Sequence, residues 1–145
     1  MKVINKKARF DYELLDRLEC GIALTGPEVK SVKLGHISFS DSYVKFIDNA
    51  LWLVNANISP YKFADNHDYD PIRSRQLLVH KKELLSLVKK LETQNLTLVP
   101  TAIYTHKHRV KLEIALARGK KEWQKKEKIK MRDLEREKQR ALKNY

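Results

Sequence analysis

Between Val110 and Leu116 every second residue is apolar: Val110, Leu112, Ile114 and Leu116 alternate with Lys111, Glu113, Ala115 and Ala117. A period of two predicts a strand with one face on a core and one face wet. The apolar run Leu96–Thr105 precedes it, so the two segments read as a hairpin turning at His106, Lys107 and His108. A second hairpin is predicted from runs 42–47 and 51–57, which flank Asp48-Asn49, residues that tolerate left-handed turn geometry. Tyr43, Phe46, Ile47, Leu51, Trp52, Leu53 and Val54 supply its bulk. Phe10, Tyr12 and Leu14 share one side of an extended 9–17, another half-buried strand, and Ile22-Ala23-Leu24 continues an apolar extended segment.

The pattern changes period twice. Leu84, Leu85, Val88 and Leu91 recur at helical spacing with lysines opposite, predicting an amphipathic helix over 81–94. Thr25-Gly26-Pro27-Glu28 reads as a helix start. The Thr25 hydroxyl accepts from the amide three residues on, Glu28 reaches back, and Pro27 stands where its missing N–H costs nothing. Gly35 ends that short helix in the left-handed conformation. Residues 59–76, with Pro60, Asn66 and Pro71, read mostly as a long loop, and such loops in compact domains are usually functional or disordered. About six strands, one short and one longer helix, and little helix between strands favour a small antiparallel barrel over a parallel sheet.

Composition narrows the class. The 145 residues suit one domain and a tail, and a 42% hydrophobic share supplies a core. No apolar run is long enough to cross a membrane, and Met1–Lys7 lacks the apolar stretch of a secretory signal, so a cytoplasmic protein is expected. The lone Cys20 excludes an internal disulfide and a cysteine-based zinc site; it reads as a small apolar filler. A net charge of +12 points to a polyanion, RNA first. Half of it is concentrated at one end: residues 1–118 carry a net +6, and residues 119–145 carry another +6. We therefore divide the chain into a body, 1–118, and a basic tail, 119–145. The tail lacks proline and, after Gly119, glycine; its acid–base pairs (Glu122 with Lys126, Asp133 with Arg136, Glu137 with Arg140) favour a helix of about 40 Å at ~1.5 Å per residue. Its apolar residues form no continuous stripe, which argues against a coiled coil. Two readings follow: a solvated helix, or a segment that orders on RNA, with lysines on phosphates and Trp123 stacking on a base.

Catalytic and metal motifs are scarce. The histidines, His36, His67, His80, His106 and His108, show no familiar ligand spacing, and neither metal nor cofactor is expected. No Gly-rich phosphate loop, Gly-x-Ser-x-Gly or paired-acid nuclease motif occurs, so a binding protein is favoured over an enzyme. Asp65, His67, Asp68 and Asp70 are the only foothold for an RNA-processing enzyme, and a basic tRNA- or rRNA-binding module of another kind also fits the charge.

Several blocks then coincide: Gly21–Gly35 (GIALTGPEVKSVKLG) with Asp41-Ser42-Tyr43, Asn5–Ala8, Arg75–Lys81, Leu96–Pro100 and Gly119-Lys120-Lys121. Together they resemble the signature of SmpB, the tmRNA-binding small protein B family of bacteria, in order along essentially the whole chain. The resemblance implies an OB-like barrel with two or three flanking helices and a basic tail that is helical when bound. It implies binding to the tRNA-like domain of tmRNA, with Glu19, Leu78 and His80 at that site, and delivery of alanyl-tmRNA with elongation factor Tu to stalled ribosomes. It further implies that the tail enters the vacant mRNA channel of the small subunit and meets its rRNA through Gly119, Lys120, Lys121, Trp123, Lys125, Lys126, Lys128, Lys130 and Arg132. No DNA or membrane partner is implied. Three positions depart from the family pattern: Trp123 stands where histidine is common, Gln124 replaces an aspartate, and Lys126 replaces an arginine.

Overall fold

The computed structural model describes residues 1–119 and Arg136. Nine strands and three helices occur among them: β1 (Lys2–Ile4), α1 (Lys6–Asp11), β2 (Tyr12–Ile22), α2 (Gly26–Lys33), β3 (Ile37–Ser38), β4 (Tyr43–Ile47), β5 (Ala50–Val54), β6 (Asn57–Ile58), β7 (Arg75–Leu78), α3 (Lys81–Gln94), β8 (Thr97–His106) and β9 (Arg109–Gly119). Seven strands form one antiparallel sheet in the order β1-β8-β9-β2-β7-β5-β4, and β3 pairs with β6 apart from it. The sheet curls until β4 packs near β8, closing the barrel. Its interior is filled by Leu51, Leu53, Leu77, Ile103, Leu112, Ile114 and Leu116, with Cys20 among them.

Both hairpins form. Asp48 and Asn49 take φ of 51° and 61°, the left-handed pair a two-residue turn needs. The β8–β9 turn is tighter than the sequence suggests. His106 pairs with Arg109, leaving only Lys107 and His108 in the turn, at φ 51° and 66°. Further back along the hairpin, Pro100 sits in β8 at a register shift, where a strand tolerates a missing N–H. Helix α2 begins on the expected capping box: Glu28 N donates to Thr25 Oγ1 at 3.3 Å, and Thr25 N donates to Glu28 Oε1 at 3.0 Å. Gly35, at φ 79°, follows its last turn.

Several expectations change. Residues 9–11 belong to helix α1 rather than a strand. Asn5 caps that helix, accepting from Ala8 N at 3.2 Å while its amide donates to the Pro100 carbonyl at 2.7 Å. The extended segment continuing through Ile22 leaves the sheet there, so Ala23 and Leu24 lead into the α2 cap. Ala115 and Ala117 are not wet. Helix α1 lies over that face, and Ala8, Val99 and Ala117 form a second small core with Tyr12 and Leu14. On α3 the inward position is Leu87, flanked by Leu84 and Leu91, whereas Leu85 faces solvent. The β4–β5 hairpin likewise buries Val44, Leu51 and Leu53 but leaves Tyr43, Phe46 and Ile47 substantially exposed.

Candidate nucleic-acid interface

Strand β2 runs through the middle of the sheet, and its alternate residues Glu19 and Gly21 face outward. Register fixes their neighbours. Glu19 lies opposite Glu113 of β9, and Gly21 lies between Lys111 of β9 and Leu78 of β7. Beyond β9, Tyr104 of β8 is opposite Lys111. Two carboxylates directly across a ladder repel, and each has its own partners. Glu113 accepts from Thr101 Oγ1 at 2.8 Å and pairs with Arg17 Nη1 at 3.3 Å. Glu19 accepts a short hydrogen bond from the Tyr104 hydroxyl through Oε2, while His106 Nδ1 lies 3.7 Å from Oε1. The Tyr104 bond, aided by His106 and Lys111, outweighs burial and holds the Glu19 carboxyl below the usual range. Burial and the same carboxylate push the Tyr104 phenol up, so the phenol remains a donor at neutral pH. Lys2 Nζ sits 5.9 Å from the Tyr104 ring centroid. Glu19 is thus a fixed, ionised acceptor, beside Glu113, on a face that also carries Arg17, Lys111 and Lys2.

Leu78 is 57% exposed, unusual for a leucine in the middle of a fold, and it leans over Gly21. A Cβ at position 21 would meet Leu78 Cβ at 3.2 Å, tighter than ordinary contact, so glycine there sets how closely Leu78 lies on the sheet. A groove opens beside it. It is lined by His108, Arg109 and Lys111 together with Leu24, Val29 and Leu78. The cations Arg109 and Lys111 beside apolar side chains fit phosphate and base or sugar together. His80 follows two residues after Leu78, at the N-cap of α3. Its side chain makes no capping hydrogen bond and is exposed, so the helix does not consume the imidazole. The structure therefore brings Glu19 and Leu78 onto one face and puts His80 just past the end of β7.

Of the tail positions, Gly119 closes β9 opposite Tyr12. Lys120, Lys121, Trp123, Lys125, Lys126, Lys128, Lys130 and Arg132 lie outside the described residues. The sequence reading missed Tyr104 and His106 as partners of Glu19, because the pairing depends on β8–β9–β2 register. The two-residue turn at Lys107-His108 would have supplied half of that register. It also missed a buried cluster behind the interface. Arg75, fully buried, donates from Nε and Nη2 to Glu28 Oε2 at 2.9 and 2.5 Å and from Nη1 to the Ala56 carbonyl at 2.7 Å. Arg73 Nη2 reaches Glu28 Oε1 at 2.5 Å, and the Tyr69 hydroxyl bonds the same carboxylate at 3.2 Å. Burial raises the Glu28 carboxyl, but the Thr25 amide and the two guanidiniums prevail and bring it to about 2.

Other groups carry less chemistry. Cys20 is buried and donates its S–H to the Leu112 carbonyl at 3.3 Å; burial pushes the thiol up to about 12, far from a nucleophile. Asp65 and Asp70 accept from the amides of His67 and Ile72, at 3.1 and 3.0 Å, and shape the loop. Among the described residues no three His, Cys, Asp or Glu side chains gather to hold a metal, and no helix is long and apolar enough to cross a membrane.

These features define a class: a small basic β-barrel protein whose candidate binding surface is an outer sheet face rather than an enclosed cavity. Residues 2–144 match the sequence model of the family described as SmpB protein, and the chain belongs to that family. Among its relatives, the SsrA-binding protein of Malacoplasma penetrans is 46% identical over 93% of this chain and 92% of its own. That of Oleidesulfovibrio alaskensis is 49% identical over 95% and 89%. That of Trichodesmium erythraeum is 47% identical over 97% and 91%. A chain from the solved structure "tmRNA-SmpB: a journey to the center of the bacterial ribosome" superposes with a TM-score of 0.69 at 45% identity, covering 83% of this chain and 85% of that one.

Proposed function

We propose that this protein binds SsrA RNA, that is tmRNA, and brings its alanylated form to ribosomes stalled on mRNA without a stop codon. The observation that carries the reading is that Glu19 and Leu78 share one outer sheet face, Leu78 lying opposite Gly21 two residues along β2 from Glu19, in a chain whose relatives along nearly its whole length are SsrA-binding proteins. The outer face grips the tRNA-like domain. Lys111, Arg109 and His108 meet phosphates, Leu78 packs on a sugar or base, His80 donates or stacks at the edge of α3, and Glu19 accepts from a base amino group. A fixed carboxylate rejects an RNA that brings phosphate to that point, so Glu19 supplies discrimination while the lysines supply affinity. The work is recognition and delivery, with no bond made or broken by the protein. Elongation factor Tu accompanies the complex, and all of it takes place in the cytoplasm. The tail, from Gly119 through Lys120, Lys121, Trp123, Lys125, Lys126, Lys128, Lys130 and Arg132, enters the empty mRNA channel. Phosphate contacts there offset the entropy of ordering it, and mRNA already in the channel denies it the site.

Gel-shift titration of tmRNA with the full chain tests the face. Glu19→Ala and His80→Ala should each weaken binding by about tenfold, the loss expected for a hydrogen bond to a charged group. Unchanged affinity in both would remove them from the interface.

A further inference from the structure

The loop between β6 and β7 carries an aromatic surface that the fold does not use. Phe63 is 79% exposed and contributes little to either core. The Tyr61 ring stands edge-on to it, with centroids 5.6 Å apart at an interplanar angle of 68°. Each ring has its own cation: Lys30 Nζ of α2 lies 5.4 Å from the Tyr61 centroid, and Lys62 Nζ lies 5.6 Å from that of Phe63. We propose that Tyr61, Phe63, Lys30 and Lys62 form a second RNA-contact site, which stacks one unpaired base of the tRNA-like domain on Phe63 and places the lysines on the flanking phosphates. This inference rests on the reading of the protein as a tmRNA binder.

Three observations support it. First, the platform is built before any ligand arrives. The Asn66 side-chain amide donates to the Tyr61 carbonyl at 2.9 Å and to the Ala64 carbonyl at 3.1 Å, and Ala64 N donates to Tyr61 O at 3.1 Å. Further along, the Tyr69 hydroxyl donates to the Ile58 carbonyl at 2.8 Å, and Arg73 anchors the loop on Glu28 of α2. A loop held in this way loses little entropy on binding, so stacking energy appears as affinity. Second, the chemistry suits a nucleotide better than an apolar protein partner. A π-face flanked by ammonium groups matches a base flanked by phosphates, whereas a hydrophobic partner would have to desolvate both lysines. Asp65 and Asp68 lie beyond Ala64, so the phosphates approach from the Lys30 and Lys62 side. Third, one short helix serves both surfaces: on α2, Val29 lines the Leu78 groove and Lys30 meets the Tyr61 ring.

The test uses the full chain and tmRNA. Phe63→Leu keeps an apolar side chain but removes the ring, and Phe63→Trp enlarges it; at so exposed a position, both should melt like the parent. Gel shifts should show about a tenfold loss of tmRNA affinity for Phe63→Leu, the scale of one stacked base, and none for Phe63→Trp. Ultraviolet cross-linking of the parent complex followed by trypsin should attach tmRNA to the peptide Phe63–Arg73. If the parent protein prefers tmRNA over a ribosomal RNA fragment of equal length, yet Phe63→Leu binds equally well and that peptide carries no RNA, this site is wrong while the function stands. If the parent shows no such preference, the functional reading falls and this one with it.

Discussion

Glu28 occupies a position where three requirements coincide. It reaches back to the Thr25 amide, it neutralises the fully buried Arg75, and it ties Arg73 and Tyr69, hence the 59–74 loop, to α2. Breaking a buried pair from one side leaves an unpaired charge. Glu28→Gln should therefore lower stability by ~3–5 kcal/mol, read from urea unfolding, even though glutamine could still serve the cap. The pH dependence follows from the direction of the shift. The carboxyl falls from its ordinary 4.5 to about 2 on folding, so the unfolded chain takes up the proton first. Its stabilisation is complete above pH 4.5, declines as the pH drops below that value and is gone below about 2. Unfolding free energies measured between pH 6 and 2.5 should fall in the parent, and the fall should be shallower in Glu28→Gln.

Among the elements, α2 shows most plainly what sequence alone can specify. Its start is marked by a local pattern, Thr25 with Glu28 and Pro27, even though Glu28 also takes distant partners. Thr25→Ala should cost about 1 kcal/mol in thermal or chemical unfolding, and Thr25→Ser should restore most of it. The β4–β5 turn and the extent of α3 are local in the same way, and both were legible. What failed depended on residues far apart in sequence. Phe10, Tyr12 and Leu14 keep the strand period, but Asn5 caps a helix through residue 11, and the Asn5 amide finds its acceptor at Pro100. Ala115 and Ala117 look like a wet face, yet both are buried, Ala117 against Ala8 of α1. Leu85 fits the apolar spacing as well as Leu84 does, and only the barrel beneath decides which is exposed. The site divides similarly. Glu19, Leu78 and His80 came from family resemblance, because nothing in their local pattern marks them. Tyr104 and His106 became visible only once β2, β9 and β8 stood in register, and the Glu28–Arg75 pair spans 47 positions.

For the whole molecule, the even split of charge matters more than its total. The body and the tail each carry +6, but the body spreads it over 118 residues and interrupts it with the fixed carboxylates of Glu19 and Glu113. On the proposed reading, a body built in that way recognises a shaped RNA, whereas the dense cationic segment binds phosphate wherever an open channel presents it. The two tasks should then separate in one truncation. Gly119 pairs with Tyr12, so a chain ended after Gly119 keeps β9 whole and removes only the rest of the tail. That protein should bind the tRNA-like domain within about threefold of the full chain at moderate salt. Its log–log salt slope should be similar as well, since every phosphate that the protein ceases to neutralise lowers the slope by roughly 0.9 on duplex and 0.7 on single strands. Peptide tagging on ribosomes stalled without a stop codon should be abolished, because nothing would occupy the vacant channel. Full tagging by the shortened chain would reject the division of labour. A large drop in both tmRNA affinity and salt slope would mean that the tail, too, grips tmRNA, and that recognition is shared along the entire chain.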